Sequence, residues 1–171
     1  ELWEIDADKH EQGVIMHGSG WPLSETGTTG GWWLYFAEDN QVSFGLVVDL
    51  SYHNPYVSPF DELQRLKLHP IIRPILEGGK RLSYGARALT KGGLNSLPKL
   101  TFAGGVLVGD DAGFLNPAKI KGTHTSMKSG MLAAESIFNA IQAGRSSDEV
   151  VEYQTAFENS WLFEDAHQAR N

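Results

Sequence analysis

Cysteine is absent from this 171-residue sequence. Without cysteine there is no disulfide to indicate an oxidising compartment, and no thiolate that could hold an iron-sulfur cluster. The histidines do not form an alternative ligand set, because His53, His69, His124 and His167 lack close partners at helical spacing. We therefore expect polar or surface roles for these histidines and no metal site within the chain.

Long apolar runs and an excess of positive charge are also missing. The longest apolar stretches fall far short of the roughly 20 residues that span a bilayer, and we recognise no signal peptide. The 14 basic side chains are outnumbered by 21 acidic ones, which gives a net charge of −7. This balance disfavours nucleic acid as a partner and disfavours charge-driven binding to anionic lipid. Any contact with a membrane is expected to be apolar.

A complete dinucleotide-binding fingerprint is the third absence. Gly18 and Gly20 match its first two glycines, but the third glycine is missing and Pro22 would interrupt the helix. The length and the hydrophobic content of 41% suit one fold unit with a real core. A length of 171 residues is short for an enzyme that also carries a whole dinucleotide-binding fold.

A cofactor-like segment is present at residues 109–135. It follows an apolar run, residues 100–108, which we predict as a buried strand, and it leads into a helix. Gly109 permits a sharp turn, Asp110 offers a carboxylate to a hydroxyl group, and Gly122-Thr123 leaves bare amides at a helix start. A flavin uses both features, since its ribityl and phosphate groups need hydrogen bonds and its reduced ring gains from a helix dipole. Taken alone, Gly-Asp is also typical of an ordinary strand end, and Thr123 of an ordinary helix cap.

The longer stretch 113–130 resembles a known family. Its sequence is similar to the second flavin-binding segment of the electron transfer flavoprotein-ubiquinone oxidoreductase family, Gly-Phe-Leu-Asn-x-Pro-Lys-Ile-Lys-Gly-Thr-His-Thr-x-Met-Lys-Ser-Gly. One departure is Pro117, which stands one position earlier than the family proline and should alter the loop path locally. Segments 46–59, 76–88 and 93–102 also resemble the family, so that the likeness runs from about Gly18 to the end of the chain.

The resemblance implies an electron-transferring-flavoprotein dehydrogenase, which accepts electrons from reduced electron transfer flavoprotein and reduces ubiquinone. Its expected cofactors are FAD and a [4Fe-4S] cluster, and no residue is expected to act as a catalytic base. The loop 92–98 resembles a family loop near the flavin, although Gly-Gly and Asn are also ordinary turn residues. The FAD-binding residues predicted in this chain are Gly109, Asp110, Gly122, Thr123, His124, Thr125 and Asn95.

Gly30 and Gly31 are the predicted ubiquinone-binding residues. Adjacent glycines let a flat ligand approach the backbone, and the aromatic residues within positions 32–35 offer apolar walls. The family has a ubiquinone segment of Gly-Gly followed by Ser-Phe-Leu-Tyr-His, from which Trp32 and Phe36 depart. A strand start with core aromatics would give the same pattern without a ligand.

The family is expected to carry an amino-terminal dinucleotide fold and a carboxy-terminal four-cysteine site, and neither is in this sequence. We therefore predict an internal fragment whose FAD site is incomplete and whose cluster ligands lie elsewhere. The resemblance also implies a peripheral protein on the cytoplasmic side of a bacterial inner membrane, or on the matrix side in mitochondria.

The local patterns predict an α+β fold. Together with the resemblance, they imply that residues 1–98 are a sheet-rich ubiquinone-binding region with two short helices that would form a lid, and that residues 99–171 are the C-terminal strand and two long helices of an FAD-binding domain. Polar residues 38–40 predict a hairpin turn, and Ser58-Pro59 predicts a helix start. The predicted strands are 12–18, 31–37, 42–50 and 80–89, and the predicted helices are 59–69, 71–76, 123–143 and 147–168.

Two other functions fit the residues. One is a different flavoenzyme of the same architecture, an isoprenoid reductase or hydroxylase with a nicotinamide or ferredoxin donor. The other is a non-catalytic hydrophobe-binding module whose pocket is lined by Trp21, Trp32 and Trp33. Flanking sequence with a dinucleotide fold and a cysteine cluster would favour membership of the oxidoreductase family over both of these functions.

Overall fold

The computed structural model describes residues 1–170 and divides the chain into two compact units. The first unit spans Glu1–Ala86, and the second begins at Arg87. Residues 87–98, which the sequence pattern groups with the sheet, thus belong to the second unit. The predicted α+β class with an antiparallel sheet is confirmed.

A five-stranded antiparallel sheet forms the first unit. Its strand order is β2-β3-β4-β1-β5, and β1 is a short strand that the sequence pattern does not reveal. The last strand ends at Ser83, earlier than predicted, and the strands are β1 Leu2–Glu4, β2 Ile15–Ser19, β3 Gly30–Phe36, β4 Gln41–Val48 and β5 Lys80–Ser83.

The predicted hairpin joins β3 and β4. Asp39 and Asn40 both take the left-handed conformation, with φ of 56° and 54°, and Gln41 N–H donates to the Glu38 carbonyl at 3.0 Å. These residue types tolerate that conformation, which a tight turn between twisted strands requires. The hairpin fixes the register that pairs Gly31 with Val47.

Two short helices cover one face of the sheet. Helix α1, Pro59–Leu66, starts as predicted, with the Ser58 hydroxyl accepting a hydrogen bond from Asp61 N–H at 3.3 Å. It ends before the predicted His69, and irregular turns lead to α2, Arg73–Leu76. The core between helices and sheet contains Ile5, Leu34, Phe36, Val42, Phe44, Leu66, Ile72 and Leu76.

The second unit is mainly helical. The single strand predicted over 100–108 is wrong, because a turn at Ala103-Gly104 divides it into a hairpin of β6, Thr101–Phe102, and β7, Gly105–Val106. Helix α3, Gly109–Ala112, follows within three residues, and the long helix α4 spans Thr123–Gln142, close to its prediction.

The last predicted helix is in fact two. Ser147 has a φ of 62°, so that the chain cannot begin a helix there, and α5 starts only at Val151. Helix α5 ends at Glu158. Ser160 has an extended backbone, and a separate helix, α6, covers Trp161–Gln168. The break lets both helices pack on one core, which contains Leu100, Phe114, Leu132, Tyr153, Phe157 and Leu162.

Candidate functional site

The start of α3 is tied to two other helices in the second unit. Gly109, at a φ of 67°, donates its N–H to the Ser129 hydroxyl of α4 at 2.9 Å. Ser129 in turn donates to the Ser126 carbonyl at 2.8 Å. Tyr153 of α5 donates to the Leu107 carbonyl at 3.1 Å, and burial raises the pKa of Tyr153 to about 12. The turn that carries Gly109 is therefore rigidly placed.

Asp110 lies against the beginning of α4. The Ser126 hydroxyl donates to its Oδ1 at 3.3 Å. A Cβ at Gly122 would come within 2.3 Å of the same oxygen, so that only glycine allows the carboxylate to sit there. The structure thus brings Gly109, Asp110 and Gly122 together and puts a negative charge at the positive end of a twenty-residue helix.

The first turn of α4 is not capped by a side chain. Its N-cap residue is Gly122, and Thr125, which is buried, donates its hydroxyl to the Gly122 carbonyl at 2.8 Å. Thr123 is exposed. The amides of this turn can therefore bind an acceptor on a ligand.

The His124 side chain is directed towards α6. Its ring stacks on Trp161 with centroids 6.1 Å apart and planes 6° from parallel, and its Nε2 lies 4.0 Å from Asp165 Oδ2. Hydrogen bonds from Lys119 at 2.6 Å and Asn116 at 2.7 Å lower the pKa of Asp165. The imidazole is thus engaged within the second unit, while the His124 amide belongs to the first turn of α4.

The loop with the displaced proline is held by one buried side chain. Asn116 Oδ1 accepts hydrogen bonds from the amides of Ala118 and Lys119 at 3.1 and 3.0 Å. This role of Asn116 is not among the sequence predictions, although an Asn that precedes a proline and a turn is a recognisable signal. Asn95 is exposed and lies in a single turn, Leu94–Ser96, that is distant in sequence but approaches Pro117 through Gly93.

In the first unit, Gly30 and Gly31 meet different surroundings. A Cβ at Gly30 would lie 2.2 Å from the Val47 carbonyl oxygen and 2.5 Å from Leu23 Cδ1, and a Cβ at Gly31 would lie 2.8 Å from the Gly18 carbonyl oxygen. The sheet itself therefore requires both glycines. Gly30 is covered by Leu23, whereas Gly31 lies on the face of the sheet opposite the core.

That opposite face is called the outer face here and consists of alternate residues of β2, β3 and β4. Trp33 lies over Gly45, whose Cβ would come within 2.2 Å of the indole ring, and it donates a hydrogen bond to the Ser43 hydroxyl at 3.3 Å. Val47, paired with Gly31, is exposed. The outer face comprises Ile15, His17, Ser19, Gly31, Trp33, Tyr35, Ser43, Gly45 and Val47.

The aromatic wall expected beside Gly30 and Gly31 is divided between the two faces. Trp32 packs against the core and over Gly18, whereas Trp33 lies on the outer face. Because Trp21 also packs against the core, the three tryptophans cannot line one pocket. This rules out the lining that the hydrophobe-binding alternative requires.

A shallow open pocket lies beside the core face of the first unit. Trp21, Arg65, Leu68, His69 and Pro70 line it. The Arg65 guanidinium is 5.5 Å from the Trp21 ring centre, and its hydrogen bond to Glu25 lowers the pKa of that carboxyl group. The pocket is a second surface on which a flat ring could stack.

Metal and membrane-spanning features are not found in residues 1–170. No group of three or more His, Asp or Glu side chains there is placed to hold a metal ion. No helix in the described part of the chain is both long and apolar enough to cross a bilayer.

Comparison with known proteins identifies the family. The family model described as "ETF-QO, ubiquinone-binding" matches residues 1–89, more than half of the chain. The chain belongs to the electron transfer flavoprotein-ubiquinone oxidoreductase family. The match covers the whole first unit, including β2, β3 and β4.

Curated relatives of this family match the chain from end to end. A protein of Acinetobacter baylyi named "Probable electron transfer flavoprotein-ubiquinone oxidoreductase" is 60% identical, and the chain covers 33% of its length. The electron transfer flavoprotein-ubiquinone oxidoreductase of Pseudomonas aeruginosa is 57% identical, and the chain covers 31% of its length. The human protein, whose name adds "mitochondrial", is 52% identical and 29% covered. The chain thus spans about a third of the length of the curated relatives it matches, and its family favours the main interpretation over the isoprenoid enzymes.

Proposed function

We propose that this chain supplies the ubiquinone side and part of the FAD side of an electron-transferring-flavoprotein dehydrogenase. The complete enzyme takes electrons from reduced electron transfer flavoprotein and gives them to ubiquinone. The observation that carries the proposal is the outer face, an open surface of glycine and aromatic residues inside the segment matched by the ubiquinone-binding model. The finer assignment of residues 99–171 to the C-terminal strand and helices of an FAD domain is part of the same proposal.

Ubiquinone is proposed to bind on the outer face beside Gly31. The ring would lie on backbone between Ser19 and Val47, which flank Gly31 on the neighbouring strands, with Trp33 as an apolar edge. Gly30 contributes backbone only, because Leu23 covers its other side. A flat ring needs such a surface without branched side chains at its centre.

FAD is proposed to bind at the junction of α3 and α4. Bound FAD would supply the two-electron redox chemistry. Asp110 retains acceptor capacity beyond its bond from Ser126, so that its carboxylate can accept from a ribityl hydroxyl. The uncapped amides of α4 favour negative charge on a reduced flavin. The residues assigned to FAD are Gly109, Asp110, Gly122, Thr123, His124 and Thr125, with Asn95 from the neighbouring loop.

The [4Fe-4S] cluster does not fit the residues of this chain. The sequence has no cysteine, and the described residues form no alternative ligand group. We therefore assign its ligands to parts of the complete enzyme outside these 171 residues.

Attachment to the membrane is proposed to be peripheral and apolar. Large apolar side chains are exposed around α1 and α2, and a net charge of −7 gives no electrostatic attraction to anionic lipid. We place the enzyme on the cytoplasmic side of a bacterial inner membrane, or on the matrix side in mitochondria. The exposed residues are Leu50, Tyr56, Phe60, Leu68 and Ile71.

A charge placed next to Gly31 tests the proposed quinone site. In the full-length enzyme, Val47→Asp should raise the KM for ubiquinone by about tenfold or more, because a carboxylate then borders an apolar ring. Reduction of the flavin by electron transfer flavoprotein should not change. Leu82→Asp, at the opposite edge of the same sheet, is the matched control. If Val47→Asp and Leu82→Asp have the same KM for ubiquinone, ubiquinone does not bind beside Gly31.

A further inference from the structure

One polar pair on the outer face has no place in the contacts assigned to ubiquinone so far. His17 Nε2 and the Tyr35 hydroxyl are 2.8 Å apart, and the two rings meet edge to face, with centroids 5.4 Å apart at 86°. His17 is on the edge strand β2 and exposed, whereas Tyr35 is half-buried on β3. The hydrogen bond fixes the orientation of an imidazole that would otherwise rotate freely.

The sheet register puts His17 next to the proposed quinone position, whereas Tyr35 lies four residues along β3 from Gly31, on the other side of His17. His17 pairs with Trp33, and the next outer-face pair along the same two strands is Ser19 with Gly31. His17 is therefore the diagonal neighbour of Gly31 across β2 and β3, a separation of about 7 to 8 Å that an imidazole and a quinone ring can bridge. Since Tyr35 occupies Nε2, the nitrogen left to face a ligand is Nδ1.

We propose that His17 is the proton donor for quinone reduction and that Tyr35 is the positioning residue that holds its ring. The inference rests on the proposed function, which puts ubiquinone on the outer face beside Gly31. Neither the family name nor the cofactor chemistry assigns a source for the protons. The pair is the imidazole and phenol arrangement that can supply them.

The proton balance of the step is simple. Conversion of a quinone into a quinol adds two electrons, which come from reduced flavin, and two protons. In each half of the reaction, the Nδ1–H bond of protonated His17 breaks and an O–H bond forms on a quinone oxygen. His17 is left neutral, and because it is exposed it regains a proton from water before the second half.

The test compares two electron acceptors in the full-length enzyme. Ubiquinone takes up protons, whereas ferricenium accepts one electron and no proton. His17→Gln should lower kcat with ubiquinone by about 100-fold, the lower end of what a general acid contributes, while KM changes less than about threefold. Turnover with ferricenium should stay the same. Tyr35→Phe should lower kcat with ubiquinone less, by about tenfold, and both variants should change the solvent deuterium isotope effect on kcat.

Tyr84→Phe is the matched control for Tyr35, since Tyr84 is 78% exposed and follows β5, outside the outer face. It should leave both acceptors and the isotope effect unchanged. If His17→Gln keeps kcat and the isotope effect of the unmodified enzyme, or slows both acceptors equally, the inference is overturned. Failure of His17→Gln to act while Val47→Asp still raises KM would overturn the proton donor and leave the quinone site standing. If neither variant affects ubiquinone, the proposed function of the outer face fails as well.

Discussion

At the scale of single residues, glycines mark where aromatic rings and carbonyl groups approach the backbone. Trp32 lies over Gly18 and Trp33 over Gly45, and neither pairing is visible before the strand register is known. The sequence pattern therefore predicts that something approaches the backbone closely at Gly30 and Gly31, but it does not distinguish a ligand from a neighbouring strand. The structure shows that the strands alone account for both glycines, and the open side of Gly31 is what remains for a ligand.

Gly45→Ala should destabilise the first unit. The added methyl would sit 2.2 Å from the Trp33 ring, which must move or lose its contact, at a cost of about 1 to 3 kcal/mol. Gly130→Ala in α4 meets no atom within 4 Å and should stabilise by about 0.5 to 1 kcal/mol. Relative to the unmodified full-length enzyme, the denaturant concentration at the unfolding midpoint should be lower for Gly45→Ala and higher for Gly130→Ala. A Gly45→Ala variant as stable as the unmodified enzyme would show that Trp33 does not rest on Gly45.

Gly122→Ala should reduce the FAD content of the full-length enzyme. Its methyl would lie 2.3 Å from Asp110 Oδ1 and would displace the carboxylate from the start of α4. Flavin absorbance per protein after desalting measures the effect, and Gly130→Ala on the same helix is the control. Full FAD occupancy in Gly122→Ala would remove this carboxylate position from the flavin site.

At the scale of elements, local signals predict starts and turns better than ends. The Ser58-Pro59 cap, the residue 38–40 turn and the long α4 are confirmed because each depends on nearby residues. Strand β1 has only three residues and depends on pairing with β4 and β5. The break between α5 and α6 depends on packing around the core of the second unit. Such tertiary causes leave little trace in a local pattern.

The contact between α6 and the loop after α3 should weaken in acid. The hydrogen bonds from Lys119 and Asn116 lower the pKa of Asp165 below its ordinary 3.8, so that Asp165 binds protons more weakly folded than unfolded. Its stabilising contribution is therefore complete above pH 3.8 and is lost as the pH falls through the lowered pKa. Melting temperatures of the full-length enzyme measured from pH 7 to 3 should fall less steeply for Asp165→Asn. Parallel curves for the two proteins would contradict this linkage.

At the scale of the whole molecule, two units carry two different parts of one proposed reaction. The first unit holds the outer face, and the second holds the Gly109–Asp110 turn and the start of α4. Both regions are indicated by the sequence, since each depends on short motifs. The role of His17 is not, because it depends on a cross-strand contact with Tyr35.

This chain produced alone should bind FAD weakly or not at all. It spans about a third of its relatives' length and lacks a complete dinucleotide fingerprint, so that the adenosine half of FAD has no site here. The purified chain should be colourless after desalting. Stoichiometric yellow FAD that survives desalting would show that these residues suffice.

The location of ubiquinone on the outer face is the central claim, and covalent labelling tests it most directly. The full-length enzyme would be irradiated with a photoreactive ubiquinone analogue, digested and mapped by mass spectrometry, with and without excess ubiquinone. We predict label on β3 and its neighbours, on peptides that contain Gly31, Trp33 or Val47, and its loss when ubiquinone competes. Competable label confined to the pocket of Trp21 and His69, or to the second unit, would contradict the account.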